Sequence, residues 1–161
     1  MRLNFRSIGE GKNYLIIIHG LFGSLDNWST LGKAFAQHHK VYLIDQRNHG
    51  RSPHDSEFSY DLMARDLAHF MDDQQLEKAT ILGHSMGGKT AMKFAMTYPE
   101  KIDKLIVADI GPKYYPPHHQ LIIKALESVD MSQVTSRNDA ESTMKQYITD
   151  SGVLMFLMKN I

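Results

Sequence analysis

The chain contains no cysteine among its 161 residues. That absence excludes a disulfide-stabilised scaffold, a thiol nucleophile and a zinc site built from thiolates. It is compatible with a reducing compartment, so we expect a cytoplasmic protein.

The sequence also lacks an excess of either charge and any long apolar run. Its 18 Lys and Arg residues balance 18 Asp and Glu residues, so the formal net charge is zero and no basic stripe indicates nucleic acid. The apolar run from Leu15 to Ile18 is too short for a signal-peptide core or a membrane span. We therefore expect a soluble protein with no nucleic-acid or membrane partner.

Short apolar segments alternate with amphipathic ones along the chain, which is long enough for one domain with a real core. Strand-like segments occupy residues 14–19, 41–44, 79–82 and 104–109, and a peripheral strand is predicted at 2–7. Helical patterns occupy 26–37, with Trp28, Leu31 and Phe35 on one side, and 60–73, with Met63, Leu67, Phe70 and Met71 on one face. This alternation predicts an α/β fold with a doubly wound, mostly parallel sheet.

The clearest motif is Gly-x-Ser-x-Gly at residues 83–87, centred on Ser85. A strand-like segment precedes it and a helix-forming segment follows. A serine hydroxyl is a weak nucleophile at neutral pH, so a catalytic serine must project from a tight turn that a base and a carbonyl carbon can reach. Glycines two residues before and after it allow the strand and the helix to approach closely. An ordinary serine in a glycine-rich turn is the alternative, but the strand-turn-helix context favours a nucleophile elbow.

A second motif, His-Gly-x-x-Gly at residues 19–23, ends the apolar segment that begins at Tyr14. In this order and spacing, the two motifs resemble those of the α/β-hydrolase family, whose early loop supplies an oxyanion-hole amide. The resemblance spans residues 14–109. Within the family, the chain is most similar to small carboxylesterases of the ABHD11-type branch, with Gly-His-Ser-Met-Gly-Gly and a later strand that ends in Asp-Ile-Gly-Pro.

The resemblance implies a serine hydrolase that cleaves a small carboxylic ester or thioester through an acyl-enzyme. Ser85 is then the nucleophile, and the backbone amides of Leu21 and Met86 form the oxyanion hole. Asp109 ends the strand that corresponds to the sixth strand of the family, where some esterases place the catalytic acid; a turn-capping role is the alternative. The reaction needs no cofactor and no metal.

The loop at residues 45–52 matches a family turn with the pattern Asp-x-Arg-x-x-Gly-x-Ser. Its side chains Asp45, Arg47 and His49 could suggest a charge relay. In the family this loop is a structural turn held by local hydrogen bonds, so we leave these residues out of the catalytic set.

The sequence offers no good candidate for the catalytic base. His19 and His84 lie inside the two motifs, where family members use them for loop support and packing, and the adjacent His118 and His119 are more typical of a solvated surface. The family places its histidine after the eighth strand. We therefore expect the base beyond Ile161 and interpret the chain as the N-terminal part of a longer hydrolase.

The character of the sequence changes after residue 111. Two prolines break the chain, and apolar residues at helical spacing follow. We predict an α/β-hydrolase core at 1–111 and the start of a helical cap, or lid, at 112–161, with a capping box formed by Asn138 and Glu141. The C-terminal strands would be missing. The strand at 104–109 would then be an open edge, which predicts self-association.

Other functions stay open at this stage. A non-catalytic or truncated fragment could bind an acyl ligand or a complementary chain. Carbon–carbon bond hydrolases and cofactor-free haloperoxidases also use a serine at this turn. Haloalkane dehalogenases and soluble epoxide hydrolases attack with an aspartate, so the serine argues against them.

Overall fold

Two units make up the chain in the computed structural model, which describes residues 1–117 and 119–161. The first unit, Met1–Pro112, holds the strands, and the second, Lys113–Ile161, is helical. The unit boundary lies close to the predicted limit of the core at residue 111. That the second unit acts as a cap stays a prediction.

A five-stranded sheet forms the centre of the first unit. Its strands are β1 (Phe5–Ile8), β2 (Tyr14–Ile18), β3 (Lys40–Ile44), β4 (Ala79–His84) and β5 (Ile102–Ala108). Their order across the sheet is β1-β3-β2-β4-β5, and β1 pairs antiparallel while the others pair parallel. The mostly parallel sheet is thereby confirmed, and β5 contains most of the segment at 104–109 that was predicted from the sequence to correspond to the sixth strand of the family.

Helices cover both faces of this sheet. They are α1 (Ser29–Phe35), α2 (Tyr60–Asp73) and α3 (Met86–Thr97), with short 3₁₀ turns at Leu25–Trp28 and Pro99–Lys101. Ile16 and Ile18 of β2 pack in the core layer of α2 and α3, whereas Leu15 and Ile17 face the opposite layer beside α1. Alternate residues of one strand thus serve two cores, which is why β2 reads as a continuous apolar run.

Of the two helical patterns predicted from the sequence, one is confirmed and the other is wrong at one residue. All four apolar residues of the α2 stripe are buried, and the helix has the predicted bounds. The pattern assigned to 26–37 is wrong at Leu31, which is 50% exposed. Gly32 lies against Leu43 instead, so close that an added Cβ would be 3.1 Å from a Leu43 methyl carbon.

The second unit contains α4 (Gln120–Glu127), α5 (Arg137–Met144), α6 (Ser151–Leu157) and a 3₁₀ turn at Met158–Asn160. The capping box predicted from Asn138 and Glu141 is wrong. The Ser136 hydroxyl accepts the Asp139 amide and the Asp139 carboxylate accepts the Ser136 amide, so the helix begins two residues earlier than that box requires. His118 lies outside the described residues. In the described part of the chain, no helix has the length and apolar character needed to cross a membrane.

Strand β5 is the outer strand on the side of the sheet opposite β1. Leu105 and Ile106 in this strand are 39% and 44% exposed. An outer strand with exposed apolar side chains presents unpaired backbone groups that recruit another strand. The predicted open edge is present in the described residues.

We expect the 161-residue polypeptide to form dimers or larger species through β5. The variant Ile106→Lys places a charge on the outer strand and should shift the population towards monomer, whereas Met96→Lys changes an exposed residue of α3 and should not. Light scattering coupled to gel filtration measures the molar mass. A wild-type chain that stays monomeric at high concentration would contradict the expectation.

Candidate functional site

Ser85 lies between β4 and α3 with a backbone conformation that residues carrying a Cβ seldom adopt. Its φ is 52° and its ψ is −116°, a conformation that costs about 1–3 kcal/mol when the surroundings impose it. The Ser85 amide donates to the Ala108 carbonyl at 3.0 Å, and the Ser85 carbonyl accepts the Lys89 amide at 3.1 Å. One side of the turn is therefore fixed to β5 and the other to the first turn of α3.

Two glycines make this turn possible. An added Cβ on Gly83 would lie 2.2 Å from the Gly87 carbonyl oxygen, and one on Gly87 would lie 2.4 Å from the Ile18 carbonyl oxygen. Both distances are far shorter than a van der Waals contact. As predicted from the sequence, the missing side chains let β4, α3 and the end of β2 meet around the serine.

The loop at residues 19–23 packs against Ser85. An added Cβ on Gly20 would be 3.3 Å from the Ser85 Cβ, so the backbone just before Leu21 lies beside the serine. Met86 is the first residue of α3 and is buried. The first amides of a helix have no acceptor within it, so the Met86 N–H can donate to a ligand, and its place in an oxyanion hole stays a prediction. Leu21 and Met86, the two predicted oxyanion residues, therefore directly follow Gly20 and Ser85, which lie against each other.

Asp109 lies immediately after β5, next to the strand that carries Ser85. Its φ is 58°, and its side chain is 84% exposed. A carboxylate oxygen lies 3.6 Å from Nε2 of His84, the residue before the serine. The carboxylate is thus near the serine turn and accessible to a further side chain, and its role as the catalytic acid stays a prediction.

In the first unit, Met1–Pro112, no histidine forms a hydrogen bond with the Ser85 hydroxyl. His84 packs edge-to-face on Trp28, with the ring centroids 6.0 Å apart. Residues 1–117 and 119–161 contain no group of three or more His, Asp or Glu residues that could hold a metal ion. The first unit thus brings Ser85 close to the loop at Gly20 and to the Asp109 carboxylate, and the contacts described within it include no base for the serine.

His19 is a buried residue that supports the loop, as the sequence interpretation proposed. Its Nδ1 is 2.8 Å from the Gly20 carbonyl oxygen, and its Nε2 accepts the Gln46 amide at 3.1 Å. One donor and one acceptor nitrogen define a neutral ring with its proton on Nδ1. Burial lowers the pKa of His19 from 6.5 to about 4, with the bond to Gly20 acting in the opposite direction.

We expect His19 to make the fold acid-sensitive between pH 6.5 and 4. In this window the unfolded chain binds a proton at His19 that the folded chain excludes, so the free energy of unfolding falls as the pH falls. The stabilisation is complete above pH 6.5, and about 3 kcal/mol is lost below pH 4. Urea unfolding of wild type and His19→Asn at several pH values isolates this contribution from that of the carboxylates. A His19 ring that titrates near pH 6.5 by NMR would contradict it.

The charged loop after β3 is a structural turn. The Asp45 carboxylate accepts hydrogen bonds at 2.7–3.0 Å from Asn4 Nδ2 and the amides of Leu25 and Arg51. Arg47 forms a buried bidentate pair with Asp66, at 2.6 and 3.0 Å, which raises the pKa of Arg47 above its usual value. His49 is buried, and burial lowers its pKa. These contacts are consistent with a structural turn whose side chains do not belong to the catalytic set.

Sequence reasoning missed Gln46. This side chain is 2% exposed and contacts both the loop before Leu21 and the helix after Ser85. Its position between Asp45 and Arg47 in a known turn pattern drew attention to its neighbours. The only available signal was a polar residue directly after a buried strand, at the edge of the sheet where the two motifs also lie.

Comparisons with known proteins show the family and the relatives to which the chain is similar. A family model described as the alpha/beta hydrolase fold matches residues 13–139. Esterase YbfF of Escherichia coli (strain K12) is 39% identical over 99% of this chain and 65% of its own length. The sn-1-specific diacylglycerol lipase ABHD11 of Danio rerio is 37% identical over 95% of this chain and 51% of its own. A solved marine microorganism esterase, at 49% identity, superposes with a TM-score of 0.97 over 99% of this chain and 64% of its own.

The chain therefore spans only 51–65% of the length of these proteins. The family model nevertheless covers most of the chain, from just before β2 to within α5. The fold and both motifs lie inside that match. This chain belongs to the α/β-hydrolase family.

Proposed function

We propose that the protein is a serine hydrolase that cleaves carboxylic esters or thioesters through an acyl-enzyme on Ser85. The observation that carries the proposal is the positive φ of Ser85 at a strand-to-helix turn, against which the Gly20 loop packs. Phe22, Asn48 and Gln75 also have a positive φ, so the conformation of Ser85 supports a nucleophile only together with the strand-to-helix turn and the loop packed against it. Relatives named esterase and lipase support the same reaction class.

In the proposed mechanism, the Ser85 oxygen attacks the acyl carbonyl carbon while a histidine takes its proton. The developing oxyanion accepts hydrogen bonds from the amides of Leu21 and Met86, and one such donor is worth about 2.7–4 kcal/mol. The histidine then protonates the leaving alcohol or thiol, and water releases the acid by the reverse sequence. Asp109 orients the histidine. We place this histidine in the part of the relatives' length that the chain does not span.

Turnover of p-nitrophenyl acetate and of a short acyl thioester by the full-length gene product tests the proposal. We expect hydrolysis of at least one, and only residual activity from the 161-residue polypeptide, because no histidine of the first unit forms a hydrogen bond with the Ser85 hydroxyl. Acyl binding without turnover or covalent labelling would instead favour a non-catalytic protein. Activity of the short chain that disappears in His118→Ala or His119→Ala would place the base in residues 112–161.

A further inference from the structure

Gln46 connects the loop at residues 19–23 with α3 through its backbone amide and its side-chain amide group. Its backbone amide donates to His19 Nε2 at 3.1 Å, and its side-chain nitrogen donates to the His19 carbonyl at 3.2 Å. Its side-chain oxygen accepts from the Thr90 hydroxyl at 2.7 Å. Since His19 is the first residue of the loop and Thr90 belongs to α3, the side-chain amide of Gln46 links the loop to the helix.

The orientation of this amide follows from its neighbours. A carbonyl oxygen only accepts, so the group that faces the His19 carbonyl must be the NH₂ of Gln46. Thr90 has one hydroxyl proton and three acceptors within reach, of which the Gln46 oxygen at 2.7 Å is nearer than the Met86 carbonyl at 3.2 Å. The proton therefore goes to Gln46, and both side chains, nearly inaccessible to solvent, have their bonds satisfied.

The two ends of this link lie close to the two oxyanion amides. On the loop, the His19 carbonyl lies two residues before Leu21. On the helix, Thr90 is one turn beyond Met86. An added Cβ on Gly87 would be 2.5 Å from the His19 carbonyl oxygen, so that carbonyl lies against the helix and is held there by Gln46.

We infer that Gln46 is a positioning residue that sets the spacing between the Leu21 and Met86 amides. The inference rests on the proposed function, because an oxyanion requires both donors at 2.7–3.1 Å at the same time. The donors belong to different elements, so their separation depends on whatever fixes the loop to the helix. A displacement of about 1 Å can cost roughly 100-fold in rate.

The test is Gln46→Met in the full-length gene product, a change that keeps the length of the side chain and removes its hydrogen bonds. We expect kcat per fluorophosphonate-labelled site to fall about 10- to 100-fold, with KM within about twofold, because the oxyanion forms only in the transition state. Affinity for a trifluoromethyl ketone should fall by the same factor. Thr90→Val should act similarly, and the double variant should be little worse than either single one.

Thr80→Val is the matched control. It removes another buried threonine hydroxyl, bonded to Asp103 at 3.3 Å near the start of β4, and should leave kcat unchanged. A folded Gln46→Met enzyme with wild-type kcat would overturn the inference and leave the proposed function standing. If wild type shows no turnover, the proposed function fails, and the amide NMR signals decide the link. If the Leu21 and Met86 amide signals do not shift in Gln46→Met, the inference that Gln46 positions them is overturned. Shifts of both signals support the inference.

Discussion

Replacing Ser85 by alanine is expected to abolish covalent labelling by a fluorophosphonate and to lower ester turnover of the full-length gene product about 10⁶-fold. The variant removes the only atom that forms the acyl bond, while the oxyanion amides and the turn remain. Alanine keeps the Cβ, so the backbone strain at φ 52° is unchanged and the fold should be retained. Circular dichroism and intact-mass spectrometry measure the fold and the labelling.

The matched control for this experiment is Ser29→Ala. The Ser29 hydroxyl accepts a hydrogen bond from Arg6 on the surface, so its loss should not alter labelling. Label that remains on Ser24 or Ser52 of the Ser85→Ala protein would show that another serine reacts. In that case, the strained turn at Ser85 would not present the nucleophile.

Replacing Asp109 by asparagine is expected to lower kcat of the full-length gene product about 10⁴-fold. The amide cannot hold the histidine in the tautomer that accepts the serine proton or stabilise the imidazolium that forms. Asparagine tolerates a left-handed backbone, so the φ of 58° at this position poses no obstacle to the variant. Steady-state kinetics, with fluorophosphonate titration to count sites, measures the effect.

His84→Gln separates two explanations for such a loss. Asp109 also lies 3.6 Å from His84, and a loss of activity that arose from this contact would appear in both variants. We expect a much smaller effect from His84→Gln, since the carboxylate would remain to orient the base. A near-wild-type Asp109→Asn enzyme would assign the acid to another carboxylate and leave Asp109 with a structural role.

Features that depend on neighbours in the chain could be predicted from the sequence. The apolar runs of β2 and β3 and the stripe of α2 follow from local patterns, and so does the turn at Ser85, because two glycines and a strand-to-helix switch coincide there. The same patterns cannot show which of two possible N-terminal capping boxes α5 uses. Ser136 with Asp139 and Asn138 with Glu141 both satisfy the capping rule, and only the extended backbone at Ser136 decides between them.

Features that depend on contacts between residues distant in the sequence could not be predicted from it. Gln46 bonds to groups 27 and 44 positions away, and no local pattern marks either contact. Leu31 was placed on the inner face because leucine is apolar. The fold instead presents Gly32 to Leu43, where an added Cβ would lie 3.1 Å from a methyl carbon of the leucine.

The backbone bond from the Ser85 amide to the Ala108 carbonyl has a consequence for how the proposed catalytic centre would be assembled. It joins Ser85 directly to β5, the outer strand of the described sheet, whose next residue is Asp109. A further strand that paired with β5 would restrain the twist of β5 and so hold the serine and the carboxylate in place together. We expect a substitution that weakens such a pairing to lower kcat of the full-length gene product more than it raises KM.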